Sequence, residues 1–284
     1  MRRTAWLVGL SLALVMLARG PSAAIAAPPA NYDEAKAGGT VLPDPLTDHD
    51  GSKITTAEAW TNHRRGEILQ LFESQMYGKT PAGRPAKLAF KVLSEEPKAL
   101  GGKATRTIVA VLFDGRDDGP RMELMLFTPN AAQGKVPAFL GLNFGGNHAV
   151  HPDPSIPLST SWFRNNSDKK YVNNRATEAS RGTEASRWPV EVVIDRGYAL
   201  ATACYNDIDP DFDDGFQNGV HPLFYRPGQT RPDPDQWGSI GAWAWGLSRA
   251  LDYLETDPEI DAKHVAVLGH SRLGGLNAEV LVVA

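Results

Sequence analysis

The plainest chemistry in this 284-residue chain lies in Gly269-His270-Ser271-Arg272-Leu273-Gly274, directly behind the apolar run 265–268. A serine two residues after a glycine, at the carboxyl end of a buried strand, has the layout of a nucleophile elbow. The strand-to-helix turn there is sharp, so its flanking residues must be small, which accounts for Gly269. The hydroxyl of Ser271 would stand above the strand, at the mouth of a helix whose free N–H groups favour a developing oxyanion. The general pattern has a second glycine two places after the serine; here Leu273 holds that place and glycine follows at 274. Gly-x-Ser also occurs in ordinary turns between strand and helix. The strand before the turn and the long amphipathic helix before that strand weigh for a catalytic serine over a structural turn.

Other clusters offer less. The run from Asn206 to Gly215 holds five aspartates but misses calcium-loop spacing, because its glycine falls one place late and no glutamate closes the loop. It reads as a hydrogen-bonded acidic loop. His148 and His151 follow a glycine turn, and two histidines alone make no metal site; loop hydrogen bonding is the expectation for both. Cys204 is the only cysteine, which rules out an internal disulfide. No residue pattern calls for a cofactor.

The elements that must carry the serine alternate in type. Thr55 and Glu58 have capping-box spacing before a helix marked by Trp60, Ile68, Leu69, Phe72 and Met76, which Gly78 closes. Three β-like runs, 88–93, 105–113 and 122–128, form an antiparallel meander, and 136–143 is apolar enough to be buried on both faces. The stretch 150–187 is irregular, with Arg175-Ala176-Thr177-Glu178-Ala179-Ser180 nearly repeated at 181–186, and is expected to be a surface insertion. A short helix over 190–195, a buried strand over 198–204, a helix over 240–254 capped by Ser239 and the strand 265–268 complete the series. That rhythm predicts a mainly parallel sheet with helices on both faces.

Residues 1–26 read as a signal peptide: Arg2 and Arg3 precede an apolar run, and Ala24-Ile25-Ala26 supplies the small residues of a cleavage site. The run is shorter than the roughly 20 residues of a membrane span. Export to the periplasm or exterior is expected, with no membrane attachment afterwards. The formal net charge of −4 becomes −7 once three arginines leave with the leader, and no basic cluster remains to bind nucleic acid.

With these residues on the page, the chain resembles the bacterial branch of the glucuronoyl esterases, carbohydrate esterase family fifteen. Its elbow matches that family's Gly-x-Ser-Arg-x-Gly, and the likeness extends to 141–148, the acidic loop after Cys204, and 237–246. The resemblance implies an α/β-hydrolase fold, a three-layer sandwich over 27–284, in an exported enzyme, monomeric when complete, whose substrate is the ester joining glucuronoxylan to lignin. It implies Ser271 as nucleophile forming an acyl-enzyme, and Arg272 in the oxyanion hole; an ordinary surface ion pair is the plainer role for Arg272. Trp243 and Trp245, two apart at the start of a helix, cannot face the same way, so one is expected in the core and the other along the sugar cleft. The family has lysine where this chain has Gly275. Neither the triad histidine nor its acid is expected within 272–284, so the fold is expected to be incomplete at its C-terminus and the chain inactive alone. Strand 265–268 would then be an open edge, with Val109, Phe139 and Leu268 short of burial partners. The other function class is a non-catalytic carbohydrate-binding remnant.

Overall fold

The computed structural model describes residues 31–36, 38–39 and 41–274. The leader and its cleavage site, Gly275 and Glu279 lie outside the described residues. The chain divides at 45/46. The described part of the first unit holds one short helical turn, Glu34–Lys36, with exposed residues throughout. Everything below concerns the second unit.

Its centre is a six-stranded sheet. β1 (Ala89–Lys98), β2 (Ala104–Leu112) and β3 (Arg121–Pro129) form the antiparallel meander, and β4 (Val136–Asn143) follows. A small hairpin, β5 (Tyr171–Val172) and β6 (Arg175–Ala176), stands apart from the sheet. β7 (Ala199–Cys204) and β8 (Ile260–Val267) complete the order β1-β2-β3-β7-β4-β8. β3 and β7 are antiparallel, while β7, β4 and β8 run parallel. β2 therefore shares the direction of those three, and four of the six strands point one way.

The two faces follow from alternation along the strands. Val109, Val111, Leu124 and Leu126 turn to one face, where the helix Ser239–Leu254 covers them. Ile108, Met125, Phe127 and Leu200 turn to the other, where the helix Val190–Asp195 and Trp188 lie. Full burial of a side chain such as Leu124 or Leu126 is worth roughly 1.5–3 kcal/mol, so both helices are held by the sheet they cover. This is a three-layer sandwich and an α/β-hydrolase fold, as expected.

Several local expectations need correction. Thr56, not Thr55, caps the first helix, accepting the Ala59 N–H at 3.1 Å. Two π-helical stretches, Trp60–Arg64 and Glu73–Tyr77, interrupt that segment and rotate its apolar stripe, leaving Phe72 and Met76 exposed. Gly78 does close it, at φ +76°. Gly238 rather than Ser239 is the cap residue of the long helix. β8 begins at Ile260, five residues before the apolar run, because its first half is amphipathic and carries exposed Lys263 and His264. Val109 is fully buried between neighbouring strands, against the expectation that it lacks partners; Phe139 and Leu268 are half-buried.

Candidate active site

β8 delivers the serine. The Leu268 N–H donates to the Leu140 carbonyl at 2.9 Å, keeping the end of β8 in register beside β4. A side chain at Gly141 would meet the Leu268 carbonyl at 2.6 Å, so the two backbones approach as closely as they do only with glycine there. The chain then reverses. Gly274 N–H reaches back to the Ser271 carbonyl at 2.8 Å, and a Cβ on Gly269 would stand 2.1 Å from the Leu273 carbonyl. Ser271 itself is exposed and has φ +56°, a left-handed conformation that costs a serine energy. Leu273 is 1% exposed and anchors the turn in the core, which accounts for a leucine where the general pattern has glycine.

Arg272 leaves the turn into an aromatic cage. Its guanidinium carbon lies 5.1 Å from the Phe144 ring centroid, 5.5 Å from Tyr205 and 5.9 Å from Trp243. Phe144 comes from the end of β4, Tyr205 from the end of β7, and Trp243 from the long helix. Nη2 pairs with the Asp211 carboxylate and donates to the Tyr205 hydroxyl at 3.2 Å. Tyr205 Oη in turn donates to Asp211 at 3.0 Å. Burial pushes the Tyr205 phenol well up, so it remains a neutral donor. Arg272 therefore has the ion pair of the plainer expectation, and it has it next to Ser271.

The acidic loop is hydrogen-bonded throughout, as expected. Asp207 accepts from the Glu123 N–H at 3.0 Å and from Ser161, Asp211 meets Arg272, and Asp214 accepts from the Phe216 and Asn218 N–H groups. Asp209 lies 3.3 Å from buried His221, and its carbonyl accepts from Trp243 Nε1 at 2.8 Å. Trp243 and Trp245 are both buried, so neither lines an open cleft: Trp237 and Phe224 meet the Trp245 ring edge-to-face.

The turn after β4 is built from buried polar groups. Asn143 Nδ2 donates to Asn147 Oδ1 at 2.9 Å and Thr202 Oγ1 at 3.0 Å. His148 is wholly buried. Its Nδ1 accepts the Ser159 N–H at 3.2 Å, which assigns the proton to Nε2, 2.7 Å from Ser180 Oγ. Burial, with Arg181 nearby, lowers its pKa to about 4. His151 bonds Glu191 at 3.3 Å and accepts from the Asp153 N–H. Both histidines serve loop structure. The near-repeat lies partly at the surface, as expected, but is tied in: Ser180 is buried, Gly182 N–H donates to the His148 carbonyl, and Glu184 N–H to that of Ala149. Burial raises the Glu184 carboxyl, opposed by backbone N–H groups of Gly145 and Phe144. Among the described residues no group of three or more His, Cys, Asp or Glu is placed to hold a metal ion.

Of the residues singled out by sequence, Ser271 and Arg272 are adjacent at the sheet's carboxyl end. Phe144, Tyr205 and Asp211 join them; the available signal was Phe144 and Tyr205 directly after β4 and β7 and Asp211 in the acidic loop that follows. A sheet of this order with an elbow at the end of β8 defines an α/β-hydrolase.

Comparison with known proteins narrows the class. A family model described as glucuronyl esterase of fungi matches residues 221–281. The chain is 47% identical over 274 residues to the carbohydrate esterase MZ0003 of an unknown prokaryotic organism, covering 96% of this chain and 63% of that protein. A glucuronoyl esterase from Solibacter usitatus superposes with a TM-score of 0.80 at 48% identity, over 87% of this chain and 62% of that one. A promiscuous family-fifteen esterase from a marine bacterial metagenome does so with a TM-score of 0.75 at 49% identity, over 87% and 61%. The chain is thus a relative of the family-fifteen glucuronoyl esterases, and it spans about three fifths of the length of these relatives.

Proposed function

We propose that this chain is the part of an exported serine carboxylic ester hydrolase that carries the nucleophile, acting on 4-O-methyl-glucuronoyl esters between glucuronoxylan and lignin. The observation that carries the reading is Ser271 at φ +56° on a tight elbow, beside a caged guanidinium, in a chain about half identical to glucuronoyl esterases. Ser271 Oγ attacks the uronate carbonyl, the alcohol leaves, and water hydrolyses the acyl-enzyme. Arg272, with backbone N–H groups not already engaged within the turn, stabilises the oxyanion. The cage fixes the guanidinium in place, and a preorganised donor costs no reorganisation during reaction.

The general base is assigned to none of the described histidines. His148 is held by Ser180, His151 by Glu191 and His264 by Asp261; His221 is wholly buried 3.3 Å from Asp209, His49 and His63 both sit on Glu67, and His270 faces the Phe144 ring. The reading therefore requires a base from outside the described residues. Residues 27–284 alone should hydrolyse benzyl glucuronate no faster than their Ser271→Ala variant. Fused to the remaining segment of a family-fifteen relative, the chain should hydrolyse it, and Ser271→Ala should abolish that. Fusion chains whose Ser271→Ala variant stays active would defeat the assignment. The same orphaned serine favours a second reading, a carbohydrate-binding remnant, which predicts glycan binding without hydrolysis in every version.

Export belongs to the same proposal. Arg2, Arg3 and Ala24-Ile25-Ala26 support it, and secreted material should have an intact mass beginning at Ala27. A mature product retaining Met1 would exclude cleavage.

A further inference from the structure

An α/β-hydrolase ordinarily takes one oxyanion donor from the residue after its serine and a second from the turn that ends a neighbouring strand. The strand beside the elbow here is β4, which pairs with β8 through Leu140 opposite Val267. The same offset carried into the two turns sets Phe144 level with Ser271, one strand spacing of about 4.8 Å away. The N–H groups of Phe144 and Gly145 therefore stand where the second donor is expected. They are already taken: both donate to the carboxylate of Glu184.

Glu184 is half-buried and firmly seated. Its N–H donates to the Ala149 carbonyl at 2.8 Å, and its carbonyl accepts from the Arg187 and Trp188 N–H groups at 2.8 and 3.2 Å. The side chain closes on Gly145, where a Cβ would stand 3.0 Å from Glu184 Oε1 and 2.9 Å from Tyr171 Oη. Tyr171 Oη donates to the Gly145 carbonyl at 3.2 Å. Residue 145 is thus gripped at its N–H by a carboxylate and at its carbonyl by a phenol. Its neighbour Phe144 presents the ring that lies 5.1 Å from the Arg272 guanidinium. An N–H bonded to a carboxylate has no hydrogen left for an oxyanion, and the carboxylate's own charge disfavours a second anion beside it.

We infer that Glu184 is a positioning residue for the reaction at Ser271: it withdraws the Phe144 and Gly145 N–H groups from oxyanion binding and seats the Phe144 ring, so that the oxyanion depends on Arg272. The inference rests on the ester hydrolysis proposed above. It also gives a reason for a guanidinium at the elbow, since the neighbouring turn is closed as a source of donors.

The test has two parts. In the full chain, NMR follows the amide signals of Phe144 and Gly145. Glu184→Ala should move both upfield and speed their exchange with solvent, and Glu184→Gln, which keeps an oxygen acceptor, should move them less. Kinetics on benzyl glucuronate then use the chain fused to the remaining segment of a family-fifteen relative. With Arg272 present, Glu184→Ala should lower kcat about threefold, because Phe144 loses its seat. In Arg272→Ala the same change should raise kcat about tenfold, because the freed N–H groups take up the oxyanion. A merely structural Glu184 would lower kcat by one factor in both backgrounds. Unmoved amide signals overturn the inference, and so does a kcat that falls or stays level when Glu184→Ala is added to Arg272→Ala. Moved amide signals, in a chain whose fused form hydrolyses no uronate ester, sink the esterase reading alone, since Glu184 then still holds the two N–H groups.

Discussion

Asp211 and Arg272 pair across the carboxyl end of the sheet, with the Tyr205 hydroxyl bonded to both, at 3.0 Å to the carboxylate and 3.2 Å to the guanidinium. The arginine is thereby aimed rather than merely charged. In a catalytically complete chain, Arg272→Ala should lower kcat for benzyl glucuronate by about 10²–10³, the usual loss for one oxyanion donor. Asp211→Asn leaves the donor in place and loosens its aim, so a smaller fall of about tenfold is expected. Steady-state kinetics on both variants checks the order; an unchanged kcat in Arg272→Ala would remove the residue from the mechanism.

The left-handed backbone at Ser271 costs a side-chain-bearing residue about 1–2 kcal/mol, partly offset in any comparison by the greater freedom of glycine in the unfolded chain. Ser271→Gly should therefore melt roughly 2–4 °C above Ser271→Ala, while neither hydrolyses ester. Calorimetric melting of the two variants decides it. Equal melting temperatures would mean that the turn stores no strain at this residue.

The two glycines of the elbow should differ in their tolerance. A Cβ on Gly269 meets the Leu273 carbonyl at 2.1 Å, and backbone must move, whereas one on Gly274 meets the Gly269 carbonyl at an ordinary 3.5 Å. Gly269→Ala should destabilise by about 2–4 kcal/mol and Gly274→Ala by less than about 1 kcal/mol. Denaturant titration of both reads the difference directly.

His148 is buried as the neutral form, its pKa lowered from 6.5 to about 4. Between those values the unfolded chain binds a proton that the folded chain refuses. Its contribution to stability is thus fully present above pH 6.5 and is lost as pH falls toward 4, amounting to roughly 3 kcal/mol. Asp207, raised from 3.8 to about 6, acts in the opposite sense: its ionisation opposes folding as pH rises through that window. Asp207→Asn should steepen the acid loss of stability between pH 6 and 4, and His148→Gln should reduce it. Melting temperature against pH for the three proteins is the measurement.

The layered fold and the elbow were legible in the sequence because both follow from local pattern. Alternation over 105–113 and 122–128 determines which side chains of β2 and β3 face which layer, and Gly269 with Ser271 marks the turn whatever surrounds it. How the near-repeat at 175–186 is tied to the turn after β4 was not legible, for the converse reason. Ser180 and Glu184 are polar residues without periodicity, and their burial depends on the β4 turn meeting them from far along the chain.

By itself, then, the sequence determined the order of elements, the position of the candidate nucleophile Ser271 and the family it resembles. Only the tertiary structure decided what Arg272 touches, that Trp243 and Trp245 are both covered, and that Trp162 and Phe212 line one cavity at the same end of the sheet as the elbow. Backbone conformation and strand periodicity are encoded within a few residues. Contacts such as Asp211 with Arg272, or Trp162 with Phe212, join residues that become neighbours only when the parallel crossovers bring the strand ends to one side of the sheet.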